Sequence, residues 1–124
     1  IYISRVELHC VTSGTTGSAV LCMPGALGTA KSDFEPQLQG LSSAHRVVSF
    51  DPRGYGDSRP PVRDFPLNFY ERDADDSASL MAQLMPEPEP YHLIGWSDGA
   101  ISAVIHAAKN PTRVKSLVIF GGNA

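Results

Sequence analysis

The sequence predicts an α/β fold, a mostly parallel sheet with helices on its faces. From residue 19 onward, apolar runs (AVLCM 19–23, RVVSF 46–50, YHLIGW 91–96, SLVIF 116–120) alternate with segments of helical periodicity. The runs are almost continuous in hydrophobicity, as strands covered on both faces require. Loops follow residues 23, 50, 96 and 120, at the strand ends where such sheets hold ligands, and three of them carry unusual residues.

Taken in order, YISRVELHCV (2–11) alternates loosely between apolar and polar, predicting a half-buried strand near a sheet edge. SGTTGS (13–18) reads as a hairpin-like turn, and AVLCM as an interior strand ended by Pro24-Gly25. SDFEPQLQGL (32–41) predicts a short helix capped by Ser32 or Asp33, with Phe34, Leu38 and Leu41 on one side and Pro36 in its first turns, where proline is tolerated. RVVSF is a buried strand that empties into the loop DPRGYGDSRPP. Residues 67–85 predict an amphipathic helix with Phe69, Ala74, Leu80, Met81 and Leu84 toward a core, and Glu71, Arg72, Asp75 and Asp76 toward water. PEPEP (86–90) reads as an extended connector, YHLIGW as a strand, GAISAVIHAAK (99–109) as a helix stopped by Asn110-Pro111, and SLVIF as a last strand.

Composition narrows the function classes. A length of 124 residues with 42% hydrophobic content fits a single domain or part of one, for which about 100–150 residues is the commonest size. Ten Lys and Arg against thirteen Asp and Glu, net charge −3, with no basic run, argue against a nucleic-acid or anionic-membrane surface. No apolar run approaches the roughly 18 residues of a membrane span, and IYISRVELH lacks the features of a signal peptide, so a soluble chain is expected. The sequence does not open on Met, so residue 1 is not read as a native start. Cys10 and Cys22 have the spacing of neither a zinc site nor a disulfide framework and are expected to be small buried hydrophobes in a reducing, intracellular compartment.

Gly95-Trp96-Ser97-Asp98-Gly99 satisfies G-x-S-x-G between a predicted strand and a predicted helix. A turn that tight strains the serine backbone and requires neighbours without side chains, so Ser97 is the candidate nucleophile. The helix start beside it offers N–H groups and a positive dipole end to an oxyanion. A tetrahedral oxygen takes donors from two places, here the N–H of Asp98 and that of Ala26 in the loop MPGALG (23–28). That loop also reads as an ordinary Pro-Gly turn. Asp98 likewise has two readings from chemistry alone: a carboxylate complementing the helix dipole, or a charge that holds a cationic substrate group near the scissile carbonyl.

LCMPGALG, FDPRGYGDSRPP, the DF and ERDA of DFPLNFYERDADD, and LIGWSDGAISAVIHAAKNP resemble the N-terminal part of the α/β-hydrolase family, almost from end to end of the chain. The resemblance implies a serine hydrolase of carboxylic esters, of α-amino-acid esters in particular. Ser97 would be its nucleophile and Asp98 the carboxylate that selects a free α-amino group. It also implies a small-molecule ester substrate, no metal or organic cofactor, and a mitochondrial or cytosolic location.

In that fold the triad runs Ser, then Asp or Glu, then His. After Ser97 the only acid is Asp98 and the only histidine is His106, about two and a half turns along the same helix and out of reach of the serine. His9, His45 and His92 precede the elbow, and Asn123 follows the last strand without an imidazole to orient. The expectation is therefore residues 1–124 as the N-terminal part of a single α/β-hydrolase domain, inactive by itself. A truncated non-catalytic binding protein, or a thioesterase or acyltransferase of the same fold, are the alternatives. The loop Asp51 to Arg59 is expected to brace the site, with Arg53 paired to Asp57.

Overall fold

A computed structural model describes residues 1–3, 5–86 and 89–122. The elements are β1 (Tyr2–Ile3), β2 (Val6–Glu7), β3 (Cys10–Ser13), β4 (Ala19–Met23), α1 (Ala30–Gly40), β5 (Arg46–Phe50), α2 (Phe69–Leu84), β6 (Tyr91–Trp96), α3 (Asp98–Lys109) and β7 (Val114–Phe120). Five strands form one sheet in the order β3-β5-β4-β6-β7, in which β4, β5, β6 and β7 are parallel and β3 is antiparallel to β5.

The two faces of the sheet are set by the alternation of side chains along each strand. From β4, Leu21 and Met23 join Val48, Phe50, Leu80, Met81, Leu93 and Ala103 in the core under α2 and α3. Val20 and Cys22 point the other way and pack with Val47, Phe34 and Leu38 under α1. Every residue of β4 is buried. The expected parallel sheet with helices on both faces is thus the observed architecture.

Several local expectations are corrected. The first ten residues do not form one strand: β1 and β2 pair with each other as a small separate ribbon, and β3 pairs with β5. Residues 13–18 are consequently no hairpin turn, since β5 is inserted between β3 and β4. Helix α1 starts at Ala30 rather than Ser32, because Thr29 makes a reciprocal capping box with Ser32 that satisfies two N–H groups at once. Pro36 therefore lies inside the helix, and the backbone leaves helical geometry at Phe34. Asp76 does not face water but is 4% exposed. Cys22 is buried, which pushes its thiol up to about 12, whereas Cys10 is only half-buried. The PEPEP connector lies partly outside the described residues.

His106 is a structural residue. It is fully buried between α2 and β6, with Nδ1 2.6 Å from Ser77 Oγ and Nε2 2.6 Å from Tyr91 Oη. Ser77 gives its proton to the Ala74 carbonyl, so its oxygen accepts from His106 Nδ1–H and Nε2 accepts from Tyr91. Burial, and then the charge of Arg113, push the imidazole down to about 4 from its ordinary 6.5. The proton is therefore taken up first by the unfolded chain. His106 contributes stability that is complete above pH about 6.5 and is lost as pH falls towards 4, about 3 kcal/mol in all. Urea midpoints measured across this range should fall with acidification, and His106→Gln should flatten the limb; an unchanged slope in the variant would refute the assignment.

Candidate active site

The site begins where β6 turns into α3. Ser97 has φ 55° and ψ −121°, a conformation costly for any residue with a side chain. The turn cannot relax, because the chain around it is packed to contact. A Cβ on Gly99 would lie 2.0 Å from the Met23 carbonyl oxygen, and one on Gly95 would lie 2.6 Å from the Gly99 carbonyl oxygen. Both glycines of the motif are therefore sterically required, one to let α3 start against the end of β4 and the other to let α3 fold back on β6. Ser97 is half-buried, and its own N–H is spent on the Phe120 carbonyl at 3.0 Å.

The loop after β4 lies against this turn. A Cβ on Gly25 would come within 3.0 Å of Ser97 Cβ. Gly25 N–H donates to Asp33 Oδ2 at 2.8 Å, and Gly28 N–H to the Gly25 carbonyl at 3.0 Å. Leu27 takes φ 58°, the left-handed region, in the tight turn between them. Asp33, expected as a helix cap, thus serves the loop instead. Ala26 sits at the exposed tip, and among the described residues neither its N–H nor that of Asp98 donates a hydrogen bond.

Asp98 is half-buried in the first turn of α3, and its Oδ1 accepts from Tyr70 Oη at 3.1 Å. No cation lies within ion-pair distance of it among the described residues. Neighbouring cations are committed elsewhere. Arg53 forks onto Asp76 through Nε and Nη2 at 3.0 and 2.8 Å, and Arg63 onto Asp73 through Nη1 and Nη2 at 2.9 and 2.7 Å. The expected Arg53–Asp57 pair is therefore wrong: Asp57 is turned to solvent, and Arg53 ties the loop after β5 to α2 instead. Asp51 braces that loop, accepting Ala30 N–H on Oδ1 and Asp57 N–H on Oδ2, both at 2.9 Å. Its two oxygens are thereby occupied, although His9, Asp51 and Asp57 bring ligand-type atoms within 4.8 Å of one another.

The structure thus brings Ser97 and Asp98 together on the elbow, with Ala26 in the adjoining loop. No imidazole accompanies them: Ser97 Oγ makes no hydrogen bond among the described residues, His106 is spent in the core, and Asn123 lies outside them. Tyr70 escaped the sequence reading because nothing in the spacing links residue 70 to residue 98. Its only signal was an aromatic residue opening a helix beside a phenylalanine.

A family model described as alpha/beta hydrolase fold matches residues 18–124. Serine hydrolase BPHL of Mus musculus and that of Homo sapiens are each 48% identical over 125 residues, a match covering 100% of this chain and 42% of each relative's length. The likeness read in GWSDG and DPRGYG…SRPP is to that biphenyl hydrolase-like branch, also called valacyclovir hydrolase. Among solved structures, a bacterial membrane phospholipase A superposes with a TM-score of 0.87 at 23% identity, over 100% of this chain and 39% of that one. That last likeness speaks to the fold alone.

The backbone of Ser97 gives a direct test. Ser97→Gly should raise stability by about 1–2 kcal/mol in denaturant unfolding, since glycine adopts that conformation without a clashing Cβ, whereas Ser97→Ala should not. Equal midpoints for the two variants would sink the claim of strain. With its serine held on a sterically enforced turn of a matching sheet, and with residues 18–124 covered by the family model, the chain belongs to the alpha/beta hydrolase fold family.

Proposed function

We propose that these residues form the N-terminal part of a serine hydrolase of carboxylic esters that favours esters of α-amino acids. Ser97 Oγ attacks the ester carbonyl, and the resulting oxyanion is held by the N–H groups of Asp98 and Ala26. The serine proton passes to an imidazole supplied by residues after 124, which then protonates the leaving alcohol. Water, activated by the same imidazole, hydrolyses the acyl-enzyme and restores Ser97. No cofactor takes part in this scheme.

The observation that carries the substrate class is the state of Asp98. It is a carboxylate next to the nucleophile, held by a neutral hydroxyl and without a cation partner among the described residues, while Asp73 and Asp76 are each forked by an arginine. An α-ammonium group matches that carboxylate in charge and donor type. The same charge disfavours substrates without the ammonium, because an uncompensated carboxylate stands beside the developing oxyanion.

A second reading, a chain that binds ligands without catalysis, is favoured by the lack of any base on Ser97 Oγ among the described residues. Intact mass combined with fluorophosphonate labelling of the native protein decides between them. A chain longer than 124 residues labelled at Ser97 supports the hydrolase, and an unlabelled protein ending near Ala124 overturns it. In the labelled protein, Asp98→Asn should lower kcat/KM for an amino-acid ester about 10–100-fold and raise it for the matching ester without the amino group. Parallel losses on both esters would remove Asp98 from substrate selection.

A further inference from the structure

We propose that Tyr70 is a positioning residue for this reaction: its hydroxyl fixes the Asp98 carboxylate so that one oxygen is presented to the substrate ammonium, and Tyr70 thereby sets the strength of the preference for a free amino group. The inference rests on the role given above to Asp98.

The geometry is specific. Tyr70 lies in the first turn of α2 and reaches across to the first turn of α3, donating to Asp98 Oδ1 at 3.1 Å. Its own place is fixed from two sides. Ser102 Oγ, one turn beyond Asp98 on α3, donates to the Tyr70 carbonyl at 3.1 Å, and the ring lies against Phe69 at 4.0 Å between centroids. Phe69 in turn packs under the Arg63 guanidinium, 5.6 Å from its ring, and Arg63 is clamped to Asp73 one turn further along α2. The hydroxyl therefore arrives at Asp98 from a braced element.

A tyrosine suits this position chemically. A lysine or arginine there would neutralise Asp98 and compete with the substrate's cation, and an apolar residue would leave the carboxylate free to rotate. A phenol orients one oxygen and leaves the charge uncompensated, so Oδ2 remains for the ammonium. Burial, reinforced by the Asp98 hydrogen bond and charge, pushes the phenol above its ordinary value and keeps it a donor.

The test is a double-mutant cycle in the complete protein, with L-phenylalanine ethyl ester and its des-amino counterpart, ethyl 3-phenylpropanoate, as substrates. Tyr70→Phe should raise KM for the amino ester about tenfold at near-constant kcat. The des-amino ester and the rate of fluorophosphonate labelling should change by less than about twofold. In an Asp98→Asn background, Tyr70→Phe should change nothing further. Three outcomes would overturn the proposal. If Asp98→Asn collapses the preference but Tyr70→Phe leaves it intact, Tyr70 has no such role while the reading of Asp98 stands. If Tyr70→Phe damages both esters alike, its contribution is to packing. If Asp98→Asn leaves the preference intact, the reading of Asp98 fails and the role of Tyr70 fails with it.

Discussion

The close approach of α3 to the end of β4 is the constraint on which the rest of the site depends. Parallel pairing of β4 with β6 brings Met23 opposite Gly95, and the first turn of α3 then has to start directly against the Met23 and Pro24 carbonyls. Only a residue without Cβ fits at position 99, and only a one-residue reversal at Ser97 brings the helix there. The strain at Ser97 is thus a consequence of sheet and helix packing that buries Met23, Leu93 and Ala103. Burying Met23 and Leu93 yields about 1.5–3 kcal/mol apiece, enough to hold one backbone residue in a conformation that costs about 1–3 kcal/mol.

A second level of organisation is the disposal of charge around that turn. The loop after β5 is full of polar groups that would be expensive to bury unpaired. Asp51 spends both oxygens on backbone N–H groups, Arg53 is forked onto Asp76, and Arg63 onto Asp73. These pairings weld the loop to α1 on one side and to α2 on the other. They also commit Arg53 and Arg63 to Asp76 and Asp73, and among the described residues no cation comes within ion-pair distance of Asp98.

The sheet and the elbow were legible in the sequence because their signals are local. Continuous apolar runs marked β4, β5 and β6, and two glycines around a serine between a strand and a helix marked the turn. What was not legible depends on contacts between distant segments. Asp76 carries a charge that composition sends to solvent, and only the approach of Arg53 makes its burial affordable. Asp33 stands at a helix start and read as a cap, but Gly28 leaves room for its carboxylate to reach Gly25 N–H. The insertion of β5 between β3 and β4 is likewise invisible to a turn signal at 13–18, since Gly and Ser there are compatible with a hairpin and with a longer crossing.

A carboxylate beside the serine with no ion-pair partner among the described residues still has to be tolerated. Asp98 is half-buried, so water retains part of its solvation, and it lies in the first turn of α3, where the positive end of the helix dipole contributes about 0.3–1 kcal/mol. The first turn of α2 meets it there through the Tyr70 hydroxyl, so one neutral donor and the dipole of α3 converge on the same carboxylate. Neither carries a formal charge. A carboxylate held in this way is oriented by neutral groups, with no cation within ion-pair distance among the described residues. An arginine in place of the Tyr70 hydroxyl would instead pair with Asp98 and cancel that charge.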